Sequence, residues 1–67
     1  MNLDRTDRAI LEALQRDGRL SNVELASQVH LSESACLRRV RALETAGVIV
    51  GYRATLDPAS VGLPDNV

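Results

Sequence analysis

Apolar residues recur at helical spacing in three groups along the first two thirds of the chain, and short polar segments separate these groups. The first group predicts a helix from Asp4 to about Asp17, which Gly18 helps to stop. Asp4 is the expected N-cap and Asp7 lies in the first turn, where carboxylates suit the positive helix end. The buried stripe is predicted to comprise Ile10, Leu11 and Leu14, with Ala13 beside it. Alternating charges at i, i+4 spacing predict a solvated, self-paired face formed by Asp4, Arg8, Glu12 and Arg16.

The second group begins with a Ser-x-x-Glu capping box, in which Ser21 and Glu24 can each satisfy a free backbone N–H group. Leu20 and Leu25 flank this box at the spacing of a hydrophobic staple. The pattern predicts a second helix over residues 22–29. Its buried residues are predicted to be Val23, Leu25, Ala26 and Val29.

Only two residues, His30 and Leu31, separate this helix from Ser32, which is the N-cap of the third helix. A link this short forces the two helices to cross steeply, as they do in a helix-turn-helix. The turn residue in such a link usually needs a positive φ. His30 occupies that position, and His is among the non-glycine residues that adopt this conformation most often.

The third helix is predicted from Glu33 to about Ala46, with Gly47 as its left-handed cap. Its buried face should carry Cys36, Val40 and Leu43, with Leu37 at the margin. The opposite face carries Ser34, Arg38, Arg41 and Thr45, flanked by Ala35, Arg39 and Ala42. Small side chains allow close approach to a duplex, and Arg clamps phosphate or reads guanine. A charged face is often merely solvated, and Arg41 could pair with Glu44. Combined with the two caps, the short turn and the small-residue face, these arginines favour nucleic-acid binding.

After Gly47 the spacing changes, and residues 48–56 predict one extended strand with a possible bend at Gly51. A lone strand is not stable in water, so it must fold back as a wing or pair with a second copy. The predicted fold class is therefore all-α with a terminal β-strand, a three-helix, winged-helix-like helix-turn-helix domain over residues 1–56. Residues 57–67 are predicted to be a linker toward a further domain.

Composition narrows the possible functions. The 67 residues carry a formal charge of −1, and residues 32–47 hold three Arg against two Glu, a balance of +1. DNA affinity from one copy should therefore be weak, so two copies are expected to bind together. The single Cys excludes an internal disulfide, and Cys36 is expected in the core. We find no apolar run of about 20 residues and no signal peptide, and we expect a cytoplasmic protein without membrane contact.

No arrangement typical of a catalytic site is apparent. One His and one Cys six residues apart cannot form a zinc site, and no catalytic triad or paired carboxylates stand out. We therefore expect no enzyme activity, no metal and no cofactor in these residues.

The segments LDRTDRAILEALQRDGRLSNVELA and HLSESACLRRVRALETAGVIVGYRATLDP resemble the N-terminal DNA-binding domain of the Lrp/AsnC (leucine-responsive, feast/famine) transcription regulators. The resemblance implies a bacterial or archaeal regulator that forms a homodimer or higher oligomer and binds double-stranded operator DNA through its third helix. It also implies that strand 48–56 pairs between protomers. In this family an amino-acid-binding C-terminal α/β domain normally follows, and an amino-acid effector would act only through that domain, which is absent from this chain.

In this interpretation the third helix enters the major groove, with Ser34, Ala35 and Arg38 nearest the base edges and Arg39 and Arg41 nearer the DNA backbone. The helix N-termini should offer donors to phosphates. The predicted DNA-binding residues are Ser21, Asn22, Ser32, Glu33, Ser34, Ala35, Arg38, Arg39 and Arg41. Two such helices in a dimer should lie ~34 Å apart on DNA.

Two other classes of protein stay open. Some tetrapyrrole-processing decarboxylases resemble this family in fold, and haem-like absorption of the full-length protein would reveal one. Winged helices also serve as protein-interaction modules, which should expose apolar side chains on the third helix. Binding to DNA should weaken steeply as salt rises, whereas apolar protein binding should not.

Overall fold

The computed structural model describes residues 1–62, and the helices within that range are α1 (Arg5–Arg16), α2 (Asn22–Gln28), α3 (Glu33–Thr45) and α4 (Pro58–Val61). The first three agree with the predicted helices to within one residue at each end. The fourth is a single turn at the start of the predicted linker, and the rest of that linker lies outside the described residues. Of the described helices, none has both the length and the apolar character needed to cross a membrane.

Each of the first three helices begins with a side-chain cap that the sequence predicted. Asp4 accepts a hydrogen bond of 2.8 Å from the N–H group of Asp7, whose own carboxylate accepts one of 3.2 Å in return. Ser21 and Glu24 form the predicted capping box, with distances of 3.1 and 2.9 Å. Ser32 accepts a bond of 3.2 Å from the N–H group three residues on. The local sequence is therefore sufficient to start these helices.

Helices α2 and α3 both end with a residue in the left-handed conformation. His30 has φ 60° after α2, and Gly47 has φ 77° after α3. The next residue then turns back onto its helix. The N–H group of Leu31 donates a bond of 2.9 Å to the carbonyl of Ala26, and the equivalent bond after α3 is 3.0 Å. Both ends are Schellman motifs, and the prediction that His30 replaces the usual glycine is confirmed.

The hydrophobic core draws on all three long helices and consists of Ile10, Ala13, Leu25, Ala26, Cys36 and Leu43. Leu20, the outer member of the predicted staple, and Leu31 pack against this cluster. Val23 was predicted to be buried and is instead 56% exposed, because it lies two residues and hence about 200° around α2 from Leu25. Leu37, which was predicted at the margin of the buried face of α3, is 40% exposed.

The predicted chain of ion pairs along α1 forms only at its C-terminal end, where Arg16 lies 3.5 Å from Glu12. At the other end, Asp4 pairs with Arg39 of α3. The carboxylate at this N-cap is therefore used in a tertiary contact, and it is not part of a self-paired helix face.

The predicted strand over residues 48–56 is not present in the part of the chain that the structure describes, where residues 50–57 follow an irregular path. A strand needs a neighbour for its backbone hydrogen bonds, and one copy of the chain supplies none. Val50 is accordingly 93% exposed. The described fold is therefore helical, and the terminal strand in the predicted fold class is not shown by it.

Candidate nucleic-acid interface

Two arginines of the predicted recognition face are open to solvent. Arg38 and Arg41 are both exposed on α3. Within residues 1–62, neither forms an ion pair. The possible pairing of Arg41 with Glu44 does not form, and the Glu44 carboxylate instead accepts a hydrogen bond of 2.8 Å from the hydroxyl of Tyr52. Both guanidinium groups are thus available to an external anion.

The N-termini of α2 and α3 lie side by side. The side-chain amide of Asn22 donates a hydrogen bond of 2.8 Å to the carbonyl of Glu33, so the first residues of the two helices are in contact. The capping serines Ser21 and Ser32 precede these two residues and are both exposed. Two positive helix ends with exposed serine hydroxyl groups therefore lie next to each other, which is an arrangement that suits a phosphate.

The first turn of α3 carries the small residues that the sequence singled out. Ser34 is exposed and its hydroxyl lies 3.4 Å from that of Ser32, while Ala35 is half-buried. Glu33 is exposed in the same turn, and its carboxylate adds a negative charge that opposes phosphate. The predicted site residues at this end of α3 are thus close together, and Arg38 follows them one turn later on the same helix.

Arg39 is placed differently from the other predicted site residues. Its side chain is 36% exposed, and its Nη1 atom donates to both oxygens of Asp4, at 3.0 and 2.8 Å, and to Asp7 at 3.2 Å. The Arg39 guanidinium holds the pKa of the Asp4 carboxyl below its usual range, with help from the N–H group of Asp7. Sequence analysis missed this contact because its partners lie 32 and 35 residues away.

A second surface feature is an open groove of about 870 Å³ between α1 and residues 48–55. Its lining includes the half-buried apolar side chains of Leu11, Leu14 and Ile49 and the exposed residues Arg8 and Arg53. In the part of the chain that the structure describes, no group of three or more His, Cys, Asp or Glu residues could hold a metal ion. Cys36 is fully buried, as predicted, and burial raises the pKa of its thiol.

Comparison with known protein families identifies this arrangement. The model of the family described as winged helix-turn-helix DNA-binding matches residues 3–50, which include α1, α2 and α3. The leucine-responsive regulatory protein of Rhizobium meliloti is 56% identical over 62 residues, covering 92% of this chain and 40% of that protein. The protein of the same name from Escherichia coli K12 is 60% identical over 57 residues, covering 85% of this chain and 35% of that protein.

Solved structures agree with this result. A transcriptional regulator from Neisseria meningitidis, in complex with L-Met, has a TM-score of 0.86 at 55% identity, covering 90% of this chain and 39% of its own. B. subtilis LrpC has a TM-score of 0.87 at 42% identity, covering 96% of this chain and 46% of its own. The chain thus spans less than half the length of these relatives. It belongs to the winged helix-turn-helix DNA-binding family and is a DNA-binding domain of the Lrp/AsnC type.

Proposed function

We propose that this chain is the operator-binding part of a transcription regulator and that α3 enters the major groove of DNA. The observation that carries the proposal is the exposure of Arg38 and Arg41, which have no ion-pair partner within residues 1–62. Arg38 would lie nearest the base edges together with Ser34 and Ala35, while Arg41 would lie closer to the DNA backbone. This assignment uses the exposed arginines for recognition and leaves the buried face of α3 in the core.

The adjoining N-termini of α2 and α3 would fix the domain on the DNA backbone. Ser21 accepts a backbone hydrogen bond and retains its hydroxyl proton to donate, whereas Ser32 accepts one and also shares a hydrogen bond with the hydroxyl of Ser34. The hydrogen bond from Asn22 to the carbonyl of Glu33 holds the two helix N-termini together, so both caps could bind neighbouring phosphates. Phosphate contacts of this kind set the register in which α3 meets the bases.

We propose that two copies act together, because one copy offers little positive charge. The chain has a formal charge of −1, and residues 32–47 contribute only +1. Residues 48–56 include exposed apolar side chains, with Val50 at 93% and Leu56 at 57% exposure. Pairing of this segment with the same segment of a second copy would supply its missing backbone partners. The operator should then be a rough palindrome with half-sites ~34 Å apart.

The whole protein is proposed to respond to an amino acid. The curated relatives are named as leucine-responsive regulatory proteins, and the Neisseria structure contains L-Met. The effector would act through a domain outside this chain, which covers only 40% of the Rhizobium protein and 39% of the Neisseria structure. We propose that these residues have no enzymatic activity of their own. Haem-like absorption by the purified full-length protein would contradict this and favour the decarboxylase alternative.

The direct test is selection of bound duplexes from a randomised DNA pool, followed by binding of the selected duplex to the Arg38→Ala variant. Loss of Arg38 should weaken binding by ~1–3 kcal/mol and relax the preference at one base pair. Arg16→Ala is the control, because it removes an exposed arginine from α1, outside the proposed interface on α2 and α3. Equal binding by all three proteins would contradict the assignment of α3 to the groove.

Salt dependence separates this function from a protein-interaction module. Affinity for the selected duplex should fall steeply with increasing salt, with a slope of about −0.9 per neutralised phosphate. Docking of an apolar protein partner on Leu37 or Val23 would show little salt dependence. A flat salt titration would therefore favour the interaction module.

A further inference from the structure

The contact between Arg39 and the two aspartates of α1 connects the middle of the recognition helix to the start of the first helix. One nitrogen, Nη1, makes all three hydrogen bonds, and their lengths lie between 2.8 and 3.2 Å. Asp4 and Asp7 are themselves held by the capping box at the start of α1. The two carboxylates are therefore held in place by local structure as well as by Arg39.

The burial of Asp7 explains why Arg39 is needed there. Asp7 is only 4% exposed, and it is the one buried charged residue among the described residues. A buried carboxylate is costly unless it is paired and hydrogen-bonded. If Arg39 turned away to bind a DNA phosphate, Asp7 would keep only the N–H group of Asp4 as a partner. The geometry thus favours a guanidinium that stays with α1 when DNA is bound.

We propose that Arg39 is a positioning residue, which fixes the rotation of α3 about its axis and so sets where Arg38 and Arg41 meet the DNA. This inference rests on the proposed function. Side chains project about 5–6 Å from a helix axis, so a rotation of only about 10° would displace them by about 1 Å. Hydrogen bonds to base edges tolerate less than this, because their lengths fall within about 0.5 Å of one another.

The proposal replaces the sequence-based interpretation of Arg39 as a contact to the DNA backbone, and the two roles predict different behaviour. A phosphate contact strengthens binding to every duplex alike, whereas a positioning residue strengthens binding to the correct sequence. The informative quantity is therefore the ratio of affinities for the duplex selected from a random pool and for a random-sequence duplex. A change in the folded fraction lowers both affinities equally and leaves this ratio unchanged.

The test uses the full-length protein and the variants Arg39→Gln, Asp4→Asn and their combination. Asn is as good an N-cap as Asp, so Asp4→Asn weakens the ion pair while α1 keeps its start. We expect each single variant to reduce the affinity ratio by about three- to tenfold, and the double variant to lose little more. The salt slope for the random-sequence duplex should not change.

The matched controls are Glu12→Gln and Arg16→Gln, which remove the same charges from the exposed ion pair on α1. The inference is overturned if Asp4→Asn, like Glu12→Gln, keeps the wild-type ratio of affinities for the selected and random-sequence duplexes. It is also overturned if Arg39→Gln lowers the affinity for both duplexes equally and reduces the salt slope by about 0.9. If the wild-type protein itself prefers no duplex, the proposed function fails as well. A discriminating wild type with an unchanged Asp4→Asn ratio contradicts only the role of Arg39.

Discussion

The side-chain amide of Asn22 donates a hydrogen bond of 2.8 Å to the main-chain carbonyl of Glu33, and this bond joins the first residue of α2 to the first residue of α3. The bond therefore links the two helices of the helix-turn-helix at their N-terminal ends. The two N-termini are therefore held together by a specific bond in addition to the core.

Removal of this bond should loosen the helix pair. We expect Asn22→Ala to lower the free energy of unfolding by about 0.5–1 kcal/mol, the lower part of the usual range, since the bond is exposed. Asn22→Asp is the informative comparison, because it removes the donor but keeps the size of the side chain and suits the helix N-terminus. Urea unfolding measures both, and a wild-type midpoint for Asn22→Ala would show that the bond contributes nothing.

His30 and Gly47 occupy the same position in two Schellman motifs, so they can be compared directly. A non-glycine residue in the left-handed region is strained by about 1–2 kcal/mol, which glycine avoids at some cost in unfolded-state entropy. We expect His30→Gly to raise the thermal midpoint and Gly47→Ala to lower it. A lower midpoint for His30→Gly would show that the imidazole makes a stabilising contact.

The Asp4 carboxyl predicts a specific dependence of stability on pH. Its pKa is lowered in the folded state, chiefly by the hydrogen bond from Arg39, so it stabilises the fold above its unfolded pKa of about 3.9. This contribution is lost as the pH falls through the lower folded value. The difference in unfolding free energy between the wild type and Asp4→Asn should thus be constant near neutral pH and shrink below about pH 4. The pKa of Asp57 is also lowered, but this residue is present in both proteins, so its contribution cancels in the difference.

Leu43 and Leu37 lie on the same helix with very different burial, 0% and 40% exposed respectively. Leu43→Ala would leave a cavity in the core and should cost about 2–5 kcal/mol, a large part of the stability of so small a domain. Leu37→Ala should cost under about 1 kcal/mol, since much of this side chain is already in water. Circular dichroism during thermal unfolding would measure both. Similar losses for the two variants would contradict the described orientation of α3.

The sequence predicted the local features of this domain well, because their causes lie within a few residues. The capping box of Ser21 and Glu24, the left-handed His30 and the ends of α1, α2 and α3 all depend on bonds between residues three to five apart. These interactions do not depend on how the helices pack. Cys36 was also placed correctly in the core, since the periodicity of α3 puts it beside Leu43 on one face.

The prediction that Val23 is buried was wrong, because apolar character alone did not reveal which side of a short helix would be covered. The strand predicted over residues 48–56 is not shown in the single chain, because a strand requires a neighbour for its backbone hydrogen bonds. The division of the chain into residues 1–56 and 57–67 stays a prediction, as do the DNA contacts.

By itself, the sequence determined where three helices begin and end, how tightly the second and third are linked, and that α3 carries arginines opposite its apolar face. Only the tertiary structure decided which of these arginines form ion pairs within residues 1–62. Arg39 pairs with residues that lie 32 and 35 positions away in the sequence. Local hydrogen bonds and helical periodicity are encoded in neighbouring residues. The allocation of charges between helices depends on packing, which brings together residues that are distant in the chain.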